Sequence, residues 1–361
     1  MPTVDLMLPE LSTRDATGAH TLLLRDLLVG WGADVRIVVE RVVESTDIES
    51  TDVELTFMRN WRGDADMSIL QHATGSQMAD EVFERRLPIV VNYHNVTPWE
   101  FFEPWEPDLI AGLRLGRAQL WALAPLSRLG LADSGFNARE LVEVGVGEVV
   151  VAPILFDRSV FAVADEGAVE RFGAGSGSGP VWLFVGRLAP NKAQHDLIAA
   201  FAAYRAEAGG GGRLVLVGAA SSGAYQVALA ELAVELGVGD AVVFAGSVSA
   251  GELAAWYRVA DVFVCLSEHE GFCVPLLEAM HHRLPVVAFD SSAVPETLAG
   301  AGLVLGDKSP VVVAEAVDRL VSDPVAAQRL VARGVQRLAD FDIEVTSRVF
   351  IDALTPLLEA H

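Results

Sequence analysis

Two glutamates eight positions apart, Glu270 and Glu278, frame the segment SEHEGFCVPLLEAM (Ser267–Met280). The apolar run Val262–Leu266 before it predicts a buried strand. Pro275 suits the first turn of a helix, where its missing N–H costs nothing. A strand, a tight loop and a helix start would turn the amides of Gly271, Phe272 and Cys273 toward a phosphate or a sugar hydroxyl. Glu270 then lies on the loop and Glu278 about one turn into the helix, both able to face one ligand. The competing reading is a loop glutamate and a helix-start glutamate that complements the helix dipole.

A second group is Arg187 and Lys192, in FVGRLAPNK (Phe184–Lys192). They follow the apolar strand Val181–Val185 and converge on a strand-end loop and helix start. Arginine's bidentate fork and lysine's point charge suit a diphosphate there; otherwise they are two solvated cations. His94 follows the run Pro88–Asn92, which puts it at the C-terminal end of a buried strand, the edge where open parallel sheets bind ligands. A lone histidine can equally be structural. The loop after it is rich in aromatic residues (Trp99, Phe101, Phe102, Trp105), which could stack on sugar faces or simply cover the domain. Gly18, at the start of the first helix, allows a ligand to approach closely or acts as an ordinary cap glycine.

These groups need a scaffold of alternating strands and helices. Strands are predicted at Val4–Leu8, Val35–Val39, Met67–Gln71, Pro88–Asn92, Val149–Ile154, Val181–Val185, Leu214–Val217, Val242–Ala245, Val262–Leu266 and Val286–Phe289. Helices are predicted from Ala19 to the glycines Gly30 and Gly32, over Arg114–Ala132 with an interruption at Pro125, and over Asn137–Gly145 and Gln194–Ala206. That alternation predicts an α/β chain built on parallel sheets. Gly173–Gly179 (GAGSGSG) contains no G-x-G-x-x-G frame and precedes a strand, so it reads as a flexible loop. Asp64-x-Asp66 lies beside Gly63 in a polar turn and is rejected as a metal pair. No histidine–cysteine cluster has metal-ligand spacing. The tail Asp340–His361 places Val345, Val349, Ile351, Leu354, Leu357 and Leu358 at amphipathic-helix spacing.

The 361 residues suit two medium domains, and a hydrophobic content of 52 % is ample for buried sheets. A formal charge of −23 speaks against nucleic acid, because no basic stripe could displace counterions. It also disfavours a general electrostatic grip on an anionic membrane, leaving open a small peripheral patch. No apolar run is long enough to span a bilayer, and the N-terminus lacks the basic start of a signal peptide. Two cysteines are too few for a disulfide framework. A cytoplasmic protein is therefore expected, with peripheral contact at the inner face of the membrane left open.

The pattern Glu–Gly–Phe–x–x–Pro–x–x–Glu–Ala–Met, preceded by FVGRLAPNK and followed by LPVVAFDSSAVPET (Leu284–Thr297), resembles the family-4 retaining glycosyltransferases with their E-x7-E signature. The resemblance covers about 180–300 and extends more loosely to DATGAH (Asp15–His20) and NYHNVTP (Asn92–Pro98). It implies the GT-B fold, two Rossmann-like parallel-sheet domains facing a central cleft. The expected acceptor-side domain is 1–156 plus the C-terminal helix 341–361, and the donor domain is 157–340.

The resemblance also implies roles. Glu278 would accept bonds from ribose hydroxyls, and Glu270 would hold hydroxyls of the transferred sugar. Amides of Gly271, Phe272, Cys273 and Val274 would bind sugar and phosphates, and Arg187 and Lys192 would neutralise the leaving diphosphate. The backbone of Ser247-Val248 would face the nucleobase, and Gly18 and His94 would approach the donor from the first domain. The family commonly has two glycines where this chain has Thr17-Gly18, and a glycine where it has Cys273. The implied activity is retaining transfer of a hexose, mannose by preference, from a GDP- or UDP-linked sugar to a saccharide or lipid-linked acceptor. No cofactor and no metal are expected. A sugar phosphorylase on the same fold and a non-catalytic nucleotide-sugar-binding protein are the rival readings.

Overall fold

The computed structural model describes residues 1–12, 15–42, 55–161, 163–174, 179–207 and 211–359. The chain divides into two units. The first comprises Met1–Glu100, Asp108–Phe156 and Phe341–His361. Its sheet contains β1 (Thr3–Leu11), β2 (Asp34–Val42), β3 (Leu55–Phe57), β4 (Met67–His72), β5 (Ile89–Tyr93), β6 (Ser127–Ala132) and β7 (Val149–Val151). They are parallel throughout, in the order β3-β2-β1-β4-β5-β6-β7. Helices on both faces explain why the strands are near-continuous apolar runs. Val4, Leu6, Leu8, Ile69, Val90 and Leu131 share a core with Leu24 and Leu28 of the helix Ala16–Trp31.

Two expectations need correction here. The stretch 114–132 is not one interrupted helix: the helix Pro107–Leu123 gives way to a 3-10 turn at Ala124–Leu126 and then to β6. The short apolar run Leu129–Ala132 does not distinguish a buried strand from a buried helix segment, and pairing with β5 and β7 decides it. The final helix, Ile343–Leu358, buries Thr346, Phe350, Leu354 and Leu358, one row spaced four apart. Val345, placed on the apolar face by the sequence reading, is exposed, while Phe350, not placed there, is fully buried among the first unit's aliphatic side chains.

The second unit comprises Phe101–Pro107 and Asp157–Asp340. Its strands are β8 (Val181–Val185), β9 (Arg213–Val217), β10 (Val242–Gly246), β11 (Val262–Cys265), β12 (Val286–Phe289) and β13 (Leu303–Leu305). Their order, β10-β9-β8-β11-β12-β13, is that of a doubly wound sheet whose direction of growth reverses between β8 and β11. Phe101–Pro107, placed in the first domain on sequence grounds, groups with this unit. The Trp105 ring meets Tyr225 edge-on at 5.2 Å, and its carbonyl accepts from Ser222 Oγ at 3.1 Å. Residues 175–178 of GAGSGSG lie outside the described residues; Gly173 and Ala174 end the helix Glu166–Ala174.

Candidate active site

In a doubly wound sheet the crevice for a ligand opens at the carboxyl ends of the two strands that flank the reversal. Here those strands are β8 and β11. β8 leads to Arg187 and Lys192, and β11 leads to Glu270, so topology alone brings together the two motifs singled out in the sequence. Lys192 ends a 3-10 turn (Pro190–Lys192); Ala193, in the left-handed region, then swings the chain into the helix Gln194–Glu207. Gln194 Nε2 donates back to the Arg187 carbonyl at 2.9 Å, which fixes this turn. Lys192 Nζ lies 2.6 Å from Glu270 Oε2. The two residues assigned separately to phosphate and sugar are therefore partners of each other. Arg187 is exposed and makes no ion pair among the described residues.

The loop that carries Glu270 is held on every side. Asn191 accepts from the Glu268 amide at 2.8 Å and donates from its side chain to the His269 carbonyl at 3.2 Å. Ser292 Oγ accepts from the Glu270 amide at 2.7 Å, and Ser291 Oγ donates to the Ser267 carbonyl at 2.5 Å. Thr297 Oγ1 donates to the Phe272 carbonyl at 2.6 Å. Cys273 precedes the helix Val274–His281 with φ +75°, in the left-handed region that glycine occupies without a steric penalty. The glycine usual at this position thus has a backbone reason, which this chain overrides.

Glu278 is buried, and Tyr257 Oη donates to its Oε2 at 2.6 Å. Burial pushes the Glu278 carboxyl up to about 7, against the Tyr257 hydrogen bond, which pulls it down. Burial likewise holds the Tyr257 hydroxyl well above its ordinary value, so it remains a donor. The Tyr257 ring stacks on His282 with centroids 4.8 Å apart, which fixes the hydroxyl's direction. Ser247 and Val248 follow β10; Ser247 is exposed, and Ser249 caps the helix Ala250–Val259 reciprocally with Glu252.

In the first unit His94 follows β5, and its side chain is only 4 % exposed. Its Nδ1 lies 2.8 Å from Asp133 Oδ2 and its Nε2 lies 2.7 Å from the Gln71 side chain. A carboxylate only accepts, so Nδ1 carries a proton and Asp133 sets the ring's orientation. Gln71 continues through Asn92 to His20, each contact 2.9 Å. Burial first, then the neighbouring His94, keeps His20 well below its ordinary pKa, and its Nδ1 accepts the Leu155 amide at 3.0 Å. Asp133, Gln71 and Tyr257 were not found by sequence reasoning, because each reaches its partner from a different element.

Gly18 departs from the expectation of a ligand-facing glycine. Its N–H donates to Asp15 Oδ1 at 2.7 Å, and a Cβ there would fall 1.8 Å from the Ser12 carbonyl oxygen. What approaches Gly18 closely is the chain's own backbone. Asp64 pairs with Arg36 and Asp66 with Thr3, so neither is held for a metal.

Residues 170–337 match the family model for glycosyl transferases group 1. The D-inositol 3-phosphate glycosyltransferase of Kineococcus radiotolerans is 33 % identical over 261 residues, 67 % of this chain and 59 % of that protein. The GDP-mannose-dependent alpha-(1-6)-phosphatidylinositol monomannoside mannosyltransferase of Mycobacterium tuberculosis is 36 % identical over 167 residues, 44 % of this chain and 42 % of that protein. The chain spans less than two thirds of the length of these relatives. Among solved structures, sucrose-phosphate synthase from Thermosynechococcus elongatus superposes with a TM-score of 0.81 over 100 % of both chains at 18 % identity. Anabaena HepE in complex with UDP and glucose superposes at 0.78 over 99 % of this chain and 100 % of that one, at 17 % identity. At such identities these likenesses establish the fold, the two-sheet GT-B architecture. The family match, over residues 170–337, spans the β8 and β11 loops with Arg187, Lys192, Glu270 and Glu278, and together with the fold it supports a glycosyltransferase of the family-4 GT-B type.

Proposed function

We propose that this chain transfers a hexose from a nucleoside-diphosphate sugar to a saccharide or lipid-linked acceptor, retaining anomeric configuration and using no divalent metal in the transfer step. The reading is carried by one observation: a lysine–glutamate pair at the sheet's reversal point, with a second buried carboxylate on the helix that follows. Donor binding exchanges the Glu270 contact of Lys192 for a phosphate oxygen and frees Glu270 to accept the sugar's hydroxyls. Arg187 joins Lys192 on the diphosphate, and the two cations neutralise charge that develops as the glycosidic bond breaks. Glu278 accepts ribose hydroxyls, and amides of Gly271 to Val274 contribute to holding sugar and phosphate. His94, oriented by Asp133, meets the sugar near the reacting carbon. The acceptor hydroxyl attacks from the face the phosphate leaves, and the departing phosphate oxygen takes its proton.

Mannose carried by GDP is the preferred donor, in keeping with the name of the mycobacterial relative; UDP is the other base to test, since HepE was solved with it. Among the described residues no helix is long and apolar enough to cross a membrane. We place the protein in the cytoplasm, with peripheral contact to a membrane that would carry a lipid-linked acceptor.

The test is a thermal-shift panel of UDP, GDP, ADP and dTDP, with and without EDTA, followed by product analysis with the matching sugar donors. A ligand at about 100 times its dissociation constant adds roughly 2.7 kcal/mol to the folded state. A selective shift that survives EDTA, and a product of unchanged anomeric configuration, are expected. A shift with inorganic phosphate alone, together with phosphate-dependent cleavage of a disaccharide, would replace this reading with a phosphorylase.

A further inference from the structure

We propose that in the donor-free chain Cys265, Cys273 and Glu270 form a binding site for one thiophilic divalent cation of the zinc class, an occupant that competes with the donor sugar for Glu270. Spacing in the sequence shows no such cluster, because the three residues come from the end of β11, the loop after it and the cap of the next helix. The fold brings one ligand atom from each to within 4.8 Å of the others, and all three residues are buried. Both cysteines are free thiols, with sulfurs 3.9 Å apart. Two thiolates on one tetrahedral zinc ion, each bonded at about 2.3 Å, stand about 3.8 Å apart. A disulfide requires about 2.05 Å. The pair is therefore already spaced for a shared ion, whereas a covalent bond would need the sulfurs to approach by nearly half their separation.

Charge supports the same occupant. Glu270 and Lys192 form a pair at 2.6 Å through Oε2, which leaves Oε1 as a further acceptor. With both thiols protonated, the group of two thiols, one carboxylate and one ammonium carries no net charge. Binding a divalent ion releases two thiol protons and again leaves no net charge, so a buried site changes occupant without acquiring an uncompensated charge. Ser267 Oγ, 3.3 Å from Cys265 Sγ, offers a neutral oxygen beside the sulfur pair. Two sulfur donors select zinc, cadmium or cobalt over magnesium, which prefers an all-oxygen shell. The cysteine at 273 stands at φ +75° where glycine would be unstrained, and a metal-binding side chain gives that choice a chemical purpose.

The experiment uses the full chain, reduced and freed of metal, titrated with Co²⁺ and Cd²⁺ while thiolate-to-metal charge-transfer absorption is recorded. Zn²⁺ competition and native mass spectrometry give affinity and stoichiometry. One ion per chain, with loss of two protons and no response to Mg²⁺, is expected. Cys273→Gly removes a ligand while suiting the backbone, so the protein should fold at least as well. It should weaken binding by more than the roughly 10–100-fold caused by losing a supporting partner alone. Cys265→Ser should do the same. No charge-transfer band, unchanged affinity in Cys273→Gly, or a mass loss of two hydrogens without metal uptake would each overturn the proposal; the last would make the pair a disulfide. None of these readouts depends on sugar transfer.

Discussion

Glu278 makes the electrostatics of the site measurable. Its carboxyl stands at about 7 in the folded chain against an ordinary 4.5, chiefly because burial strips water from the charged form. The sign follows from proton counting: between those two values the folded state holds a proton that the unfolded state has lost. Stability from the neutral carboxyl is fully present below about 4.5 and is lost as pH rises through about 7. A rise from 4.5 to about 7 corresponds to about 3 kcal/mol. Urea unfolding of the ligand-free protein at pH 5 and pH 8, compared with Glu278→Gln, isolates this group from every other titration. Over that span the wild type should lose roughly 2–3 kcal/mol more than the variant. Tyr257→Phe removes the bond that pulls the carboxyl down, so the loss should extend to higher pH. On the proposed reading only the ionised carboxylate accepts two ribose hydroxyls, so nucleoside-diphosphate affinity should be about tenfold weaker at pH 6 than at pH 8. Identical pH dependence in wild type and Glu278→Gln would refute the account of burial. Nucleotide affinity flat across the range would remove Glu278 from the ribose.

Two further outcomes rest on geometry already described. Gly18→Ala would put a methyl group 1.8 Å from the Ser12 carbonyl oxygen, a backbone atom with little freedom to move. It should lower stability by about 1–3 kcal/mol in urea unfolding, and an unchanged midpoint would show that the loop gives way. Lys192→Met leaves the buried Glu270 carboxylate without its partner and should cost about 3 kcal/mol, most of it regained in Lys192→Met/Glu270→Gln. Glu270→Ala should lower turnover far more than affinity for the free nucleoside diphosphate; equal losses would end its assignment to the sugar.

The fold was legible because parallel strands buried on both faces are written as short apolar runs, and the turns between them as glycine and proline. Legibility failed where period and length compete. Leu129, Leu131 and Ala132 are apolar in either state, and only their neighbours β5 and β7 make them a strand. The final helix shows the same limit: its aliphatic residues fit an amphipathic stripe, but Phe350 and not Val345 defines the buried row, a choice made by the helix Ala16–Trp31 it packs against.

At the site, residues that lie in one strand–loop–helix unit could be read, and partners in space could not. Glu270 and Glu278 share a segment whose spacing alone makes both of them candidates. Tyr257 comes from the preceding helix and Asp133 from the next strand end, and no spacing rule links them to Glu278 or His94. Yet these unread partners shape the site: Tyr257 moderates the carboxyl that burial raises, and Asp133 fixes the orientation of the His94 ring. The Lys192–Glu270 pair is intermediate, since both residues were visible but not their contact. Placing a cation and an anion on the two loops that flank a sheet's reversal point makes them partners in the absence of ligand. It also gives any anionic ligand an ammonium already desolvated and oriented. Such a pair keeps the loops organised before binding, and its opening is charge-neutral once a phosphate oxygen replaces Glu270 at the lysine.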